Sequence, residues 1–242
     1  MQKKLLLVLG LLACGETQKP DAKRLPTLDE AVEKSLVDAI AKHDVAAVTG
    51  FLKAPLAYGG LWFADPDCAQ QFPATLATIE AERIFAFATC LTTLPLAMTV
   101  HGQKALLTYE PGIEVDLKYT FDGQHAFIVG IGHVSDQGES EARIVPTAAK
   151  LIEGAKYVVP DDEDKVTLQK STLREKKVVG SFKVCFDKQG AVQRVVVLKN
   201  TGLSGYDRKI TKTLSANRYQ PVAVGTQILD VCTALTFIYT QR

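Results

Sequence analysis

Residues 180–199 read "GSFKVCFDKQGAVQRVVVLK". In an extended chain successive side chains point to opposite faces, so Phe182, Val184 and Phe186 share one face. Lys188, Gln189 and Gly190 supply a turn, and residues 191–198 return as a second apolar run, which predicts a β-hairpin. Beyond it, Gly202 and the possible cap Ser204 open a segment in which Tyr206, Ile210 and Leu214 recur every four residues, the spacing of an amphipathic helix. Pro221 cannot continue a helix. "ILDVCTALTFIY" at 228–239 then predicts a last strand, and the order of the closing module is ββαβ.

Upstream, "SDQGESEA" at 135–142 is polar and glycine-bearing, and residues 135–144 are expected to be a linker that separates the closing module, 145–242, from an earlier unit at 27–134. After the linker a short helix or turn is expected behind Pro146 and extended segments around 157–159. In the earlier unit, Thr27 with Glu30 forms a capping box, and Leu28, Val32, Leu36 and Ile40 share one helical face. Asp44 caps a second helix with Val45, Val48 and Leu52 inward, and a short strand is expected at 58–63. Pro73 suits the first turn of a third helix carrying Leu76, Ile79, Phe87 and Leu91. The period then changes to two: in "GIEVDLKYTF" (112–121), Ile113, Val115, Leu117, Tyr119 and Phe121 alternate with Glu114, Asp116, Lys118 and Thr120. Asp122 and Gly123 make a hairpin turn, and "HAFIVGIGH" (125–133) returns as the partner. The fold class is therefore α+β, with helices and a curved antiparallel sheet first and a small ββαβ module second.

The chain begins "MQKKLLLVLGLLAC". Residues 5–13 are apolar but number only nine, against the roughly 20 that a membrane span needs. They read as an export signal, 1–13, followed by a polar tether, 14–26. Leu11, Leu12, Ala13 and Cys14 resemble the lipobox of bacterial lipoproteins. That resemblance implies that Cys14 is acylated and becomes the first mature residue, holding a water-soluble body on a membrane. One acyl chain binds marginally and two or more hold stably. Gly15 in place of an aspartate points, by the same resemblance, to the outer membrane of a Gram-negative bacterium, facing the periplasm. Four cysteines then remain, an even number in an oxidising compartment. Of three connectivities the favoured one pairs within each half, Cys68 with Cys90 and Cys185 with Cys232; buried free thiols are the alternative.

"GAVQRVVVLKNTG", "YD", "NRYQPV", Gly225 and "CTALTFIY" together resemble the TonB C-terminal homology domain, in the cysteine-bearing form of exported delta-proteobacterial proteins, over 145–242. That family docks receptor segments by β-augmentation, in which a partner peptide completes the open backbone of an edge strand. The resemblance implies a contact surface on the strand at 228–239, with Ile228, Val231, Phe237 and Tyr239, beside Arg218, Tyr219 and Pro221. The family often carries tryptophan where this chain has Asn217, and neither the spanning helix nor the proline-rich spacer of an energy transducer is present in the sequence. The order of elements over 27–134 weakly resembles the NTF2-like (SnoaL-like) cone fold.

Other chemistry finds little footing. Lys+Arg number 28 against 27 Asp+Glu, a net charge of +1, which gives no basic footprint for nucleic acid. HExxH, GxSxG and P-loop motifs are absent from the sequence. His125 and His133 share strand parity but stand roughly 27 Å apart along one strand, and His43 and His101 lie elsewhere. "DDED" at 161–164 lacks the glycine and acid spacing of a calcium loop and reads as a solvated turn. No metal, cofactor or catalytic group is expected. The expected function is a non-enzymatic envelope lipoprotein that binds another envelope protein through its closing module. The alternative is a small-molecule binder or enzyme with a pocket in 27–134, which Glu110, Glu114 and Asp116 would line in a cone fold, although simple alternation turns Glu114 and Asp116 to solvent.

Overall fold

The computed structural model describes residues 28–101, 104–122, 125–132, 142–171 and 176–241. The signal and tether, Cys14, Thr27, His133, Gly123 and linker residues 135–141 lie outside them. The first half opens with α1 (Leu28–Ala41) and α2 (Val45–Phe51), then β1 (Leu52–Gly59), α3 (Pro66–Gln71), β2 (Ala77–Ile79) and α4 (Ile84–Leu91). It closes with β3 (Ala97–His101), β4 (Lys104–Tyr109), β5 (Ile113–Val115), β6 (Leu117–Phe121) and β7 (Ala126–Gly132). The second half holds β8 (Ala142–Arg143), β9 (Leu151–Glu153), α5 (Asp162–Lys170), β10 (Lys177–Phe186), β11 (Val192–Lys199) and α6 (Ser204–Ser215). After these come β12 (Arg218–Tyr219), β13 (Val222–Val224), β14 (Gln227–Leu229) and β15 (Val231–Thr240). The molecule is a mixed α+β fold.

Local chemistry accounts for the first half. Val32, Leu36 and Ile40 of α1 point inward, and Asp44 caps α2 by accepting from the Ala47 N–H. The third helix is shorter and divided. Asp65 caps α3, Pro66 stands at its start, and beyond Phe72 the chain bends ahead of β2, so Pro73 starts no helix. Leu76 and Ile79 fit a helical period as well as a strand, but Ile79 pairs with Leu56 across β1 and β2, so a helix is confined to α4. The expected strand at 58–63 lies earlier, as β1. The alternating run 112–121 breaks at Asp116, whose carbonyl accepts from the Gly132 N–H. β5 stays with β3 and β4, whereas β6 crosses to a second sheet ordered β2-β1-β7-β6. β6 and β7 form the expected hairpin, with His125 N–H donating to the Asp122 carboxylate.

In the second half, β11-β10-β15-β8 form one sheet. β10 and β15 pair residue for residue from Lys177↔Thr240 to Phe186↔Val231. Phe182, Val184 and Phe186 are buried beneath α6, whose Tyr206, Ile210 and Leu214 face them. Ser204 begins α6 without capping it; Leu203 is the N-cap, and Asp207 accepts from the Thr201 N–H. The expected last strand splits at Asp230, so 227–229 forms a separate hairpin with β13. No strand forms at 157–159, where Tyr157 is 82% exposed. "DDED" instead starts a helix: Asp161 is the N-cap of α5, and Asp162, Glu163 and Asp164 fill its first turn, where acids are favoured by the helix dipole. At the β10–β11 turn Gly190 has φ +80°, and a Cβ there would stand 1.8 Å from the Tyr219 carbonyl oxygen, so only glycine fits.

Both favoured disulfides are present, Cys68–Cys90 joining α3 to α4 and Cys185–Cys232 directly across β10 and β15. The halves also touch. Residues 142–144, expected to end the linker, are folded: Ala142 and Arg143 pair in parallel with Val231 and Cys232, and Ile144 bridges to Ile113 of β5. Ile144 N–H donates to Cys232 O at 2.9 Å and Val145 N–H to Gly112 O at 2.9 Å. Arg143 reaches both Asp116 and Glu114. Ile144 is fully buried, so Ile144→Ala should cost about 2–5 kcal/mol. Urea unfolding checks this, and a change under 1 kcal/mol would show that the joint contributes little.

Candidate functional site

β8 covers the outer edge of β15 only at Val231 and Cys232. From 233 to 240, "TALTFIYT", no strand pairs with that edge among the described residues. Natural edge strands are usually protected by a charge, a proline, a bulge or brevity. This one has eight residues in regular register with β10 and contains no charged residue, no proline and no glycine. The opposite edge of the sheet, β11, is protected. Two irregularities in its pairing with β10 fall at Ser181/Phe182 and Cys185/Phe186, and β11 carries Arg194 and Lys199.

The side chains of the open strand divide cleanly. Leu235, Phe237 and Tyr239 are half-buried on the α6 side. Phe237 meets Phe182 edge-on with centroids 5.7 Å apart, and Tyr239 meets Tyr206 at 6.2 Å. Ala234, Thr236 and Ile238 face outward, Ile238 at 62% exposure, and the Thr236 and Ser181 hydroxyls lie 3.2 Å apart.

The residues singled out from the sequence scatter over this region. Tyr219 and Val231 are buried, at 3% and 1% exposure, and make no contact surface. Tyr219 stacks on Phe186 at 4.8 Å and its N–H donates to Gly190 O, while burial pushes its phenol pKa up. Ile228 is exposed but belongs to the β13–β14 hairpin, beside Trp62 and Leu76. Pro221 is exposed in a cleft that it shares with Glu110, Pro111 and Lys150, and the exposed Arg218 directs Nε toward Gln189 O. Phe237 and Tyr239 support the edge strand from behind. Sequence reasoning passed over Ala234, Thr236 and Ile238; their alternation with Leu235, Phe237 and Tyr239 was the available signal. Asn217, the departure from tryptophan, has a structural role: its side-chain amide accepts from Ala155 N–H and donates to Ala155 O.

Elsewhere the side chains are occupied with packing. The interior of the first half is filled by Tyr58, Phe63, Phe72 and Phe87, in mutual ring contact. Tyr109 accepts the Trp62 N–H, and burial drives its phenol pKa far up. Two open clefts lie where the halves meet. One, of about 600 Å³, lies between Glu110 and Pro111 on one side and Lys150 and Pro221 on the other; the second, of about 800 Å³, includes Trp62, Leu76 and Ile228. Glu114 and Asp116 are engaged by Arg143. His43 lies 3.0 Å from Thr92 O through Nδ1, and His125 stands beside Asp122. Among the described residues no three His, Cys, Asp or Glu side chains group as metal ligands, and no helix is long and apolar enough to cross a membrane.

No family profile and no curated protein matches the chain. Among solved structures, an NTF2-like protein of unknown function from Cytophaga hutchinsonii is similar in part, with 13% identity and a TM-score of 0.26 over 45% of this chain and 89% of that protein. That overlap is too loose to transfer an arrangement or a role.

The Cys185–Cys232 bond closes a loop with a sequence separation of 47, and chain-entropy reasoning assigns such a loop about 4 kcal/mol. The double variant Cys185→Ala/Cys232→Ala should lose stability of that order in denaturant titration and shift mobility on a non-reducing gel. Unchanged stability and mobility would count against the bond.

Proposed function

We propose that this chain is a membrane-anchored envelope lipoprotein whose second half recruits another protein by β-augmentation at the outer edge of β15. The single observation that carries the reading is the eight-residue edge at 233–240 without charge, proline, glycine or a covering strand among the described residues. Unpaired N–H and C=O groups of an edge are donors and acceptors in a row, ready to bond an extended chain. The β10–β11–α6–β15 order supports a TonB C-terminal-like role for 145–242, and Cys14 in its lipobox-like setting supplies the anchor. An NTF2-like fold for 27–134 is part of the same proposal. A ligand pocket inside the first half is disfavoured by the aromatic side chains that occupy its interior.

Two residues of equal exposure allow a controlled test, Ile238 on the edge strand and Phe85 on α4, each 62% exposed. With a photo-crosslinking amino acid at each position in turn, cells should yield a protein adduct from 238 and not from 85. Adducts from 85 alone, or from neither, would sink the reading. The anchor is checked separately: labelled palmitate should enter the protein and be lost in Cys14→Ala, and labelling that persists in that variant would refute acylation of Cys14.

A further inference from the structure

The cleft of about 600 Å³ where the halves meet has a size usual for a small-molecule site. Its walls are held by backbone hydrogen bonds. On the floor, Val145 N–H donates to Gly112 O, and Gly112, at φ +111°, leaves no room for a side chain: a Cβ there would stand 2.8 Å from that of Ala148. The first-half wall is the turn at 109–112, closed by Gly112 N–H donating to Tyr109 O at 2.7 Å, with the Tyr109 phenol held by the Trp62 N–H. The opposite wall is fixed by Gln220 N–H donating to Lys150 O at 2.7 Å and by the pairing of Tyr219 with Leu151. A ligand entering this cleft meets a shape that already exists.

Much of the lining is aliphatic, from Pro95, Pro111 and Pro221 with Ala97, Ala148 and Ala223. Glu110 stands on the first-half wall and Lys150 on the opposite one, both exposed. Among the described residues neither side chain has a hydrogen bond or an ion pair, so they do not pair with each other. One charge of each sign, on different walls of an aliphatic cleft, complements a ligand that has an apolar middle and opposite charges at its two ends. Thr147 and Gln220 also line the cleft, and their side chains offer a donor and an acceptor to an amide between those ends. We infer that the cleft binds a short aliphatic peptide with free ends, its ammonium toward Glu110 and its carboxylate toward Lys150. A polyanion such as a nucleotide would meet Glu110 with like charge, and a wholly apolar molecule would cover both charges without pairing them. The inference goes beyond β-augmentation and does not depend on it, since no residue of 233–240 lines the cleft.

The test uses the full-length protein, titration calorimetry and three peptides: trialanine with free ends, N-acetyl-trialanine and trialanine amide. Trialanine should bind, and blocking either end should weaken it about fivefold, a penalty that shrinks as salt rises from about 50 mM to about 500 mM. Two charge-removing variants then assign the ends. Glu110→Gln should remove the penalty of acetylation and leave that of amidation, and Lys150→Gln should do the reverse. Both side chains are exposed, so neither change disturbs the core. Absence of trialanine binding up to about 10 mM would overturn the inference. Penalties that persist unchanged in both variants would also overturn it, because the peptide would then be bound elsewhere. A penalty from amidation alone would overturn the two-ended ligand and reassign the cleft to the carboxyl end of a protein chain. None of these results bears on the adduct expected from position 238, so the two readings fail separately.

Discussion

The short segment 142–145 holds the molecule together. Its backbone is hydrogen-bonded in two directions, to Cys232 in the second half and to Gly112 in the first. Ala142 and Ile144 are buried, at 1% and 0% exposure. A buried backbone group left without a partner costs about as much as a lost hydrogen bond, so the two halves cannot separate at this point without several such groups finding water. Arg143 adds ionic contacts with Glu114 and Asp116 from the same four-residue stretch. One hydrophobic cluster runs through both halves as a result.

This joint also decides where the open edge begins. β8 stops after Arg143 because the chain turns at Ile144 to bridge β5, so only Val231 and Cys232 are paired on that side, although the turn at 146–148 still packs against β15 and Thr233 is buried. A longer β8 would have closed the sheet along the whole of β15. The protection on the other edge shows that the sheet is not uniformly bare: β11 has irregular pairing and two cations, as edges that must stay unpaired usually do.

Much of this was legible in the sequence, and the failures have a common cause. Alternation around Phe182, Val184 and Phe186 and the four-residue spacing of Tyr206, Ile210 and Leu214 are intrinsic to their segments, so the hairpin and α6 could be read directly. The even cysteine count left three connectivities open, and the favoured one, pairing within each half, is the one present. Misreadings occurred where a partner in space chose between two local options. Ile79 became a strand residue because Leu56 was there to pair with it, and 112–121 broke because β5 and β6 serve different sheets. The same holds for the site. That a strand existed near 228–239 was visible, but which of its residues were buried depended on packing from both sides, and Tyr219 and Val231 proved to be interior.

The support behind β15 bears on how well its edge can bind. An extended peptide gains backbone hydrogen bonds only if the receiving strand already has the right spacing, since ordering each loose residue costs roughly 1–2 kcal/mol. β15 is fixed by ten paired residues on β10, by the Cys185–Cys232 bond across the same pair, and by Phe237 and Tyr239 against Phe182 and Tyr206. The strand is therefore in its binding conformation before any partner arrives, and the ordering cost falls on the partner alone. An edge so preorganised, yet unprotected by charge or proline, would be a liability if its only role were to end a sheet. Its rigidity and its exposure are both accounted for if another chain normally completes it.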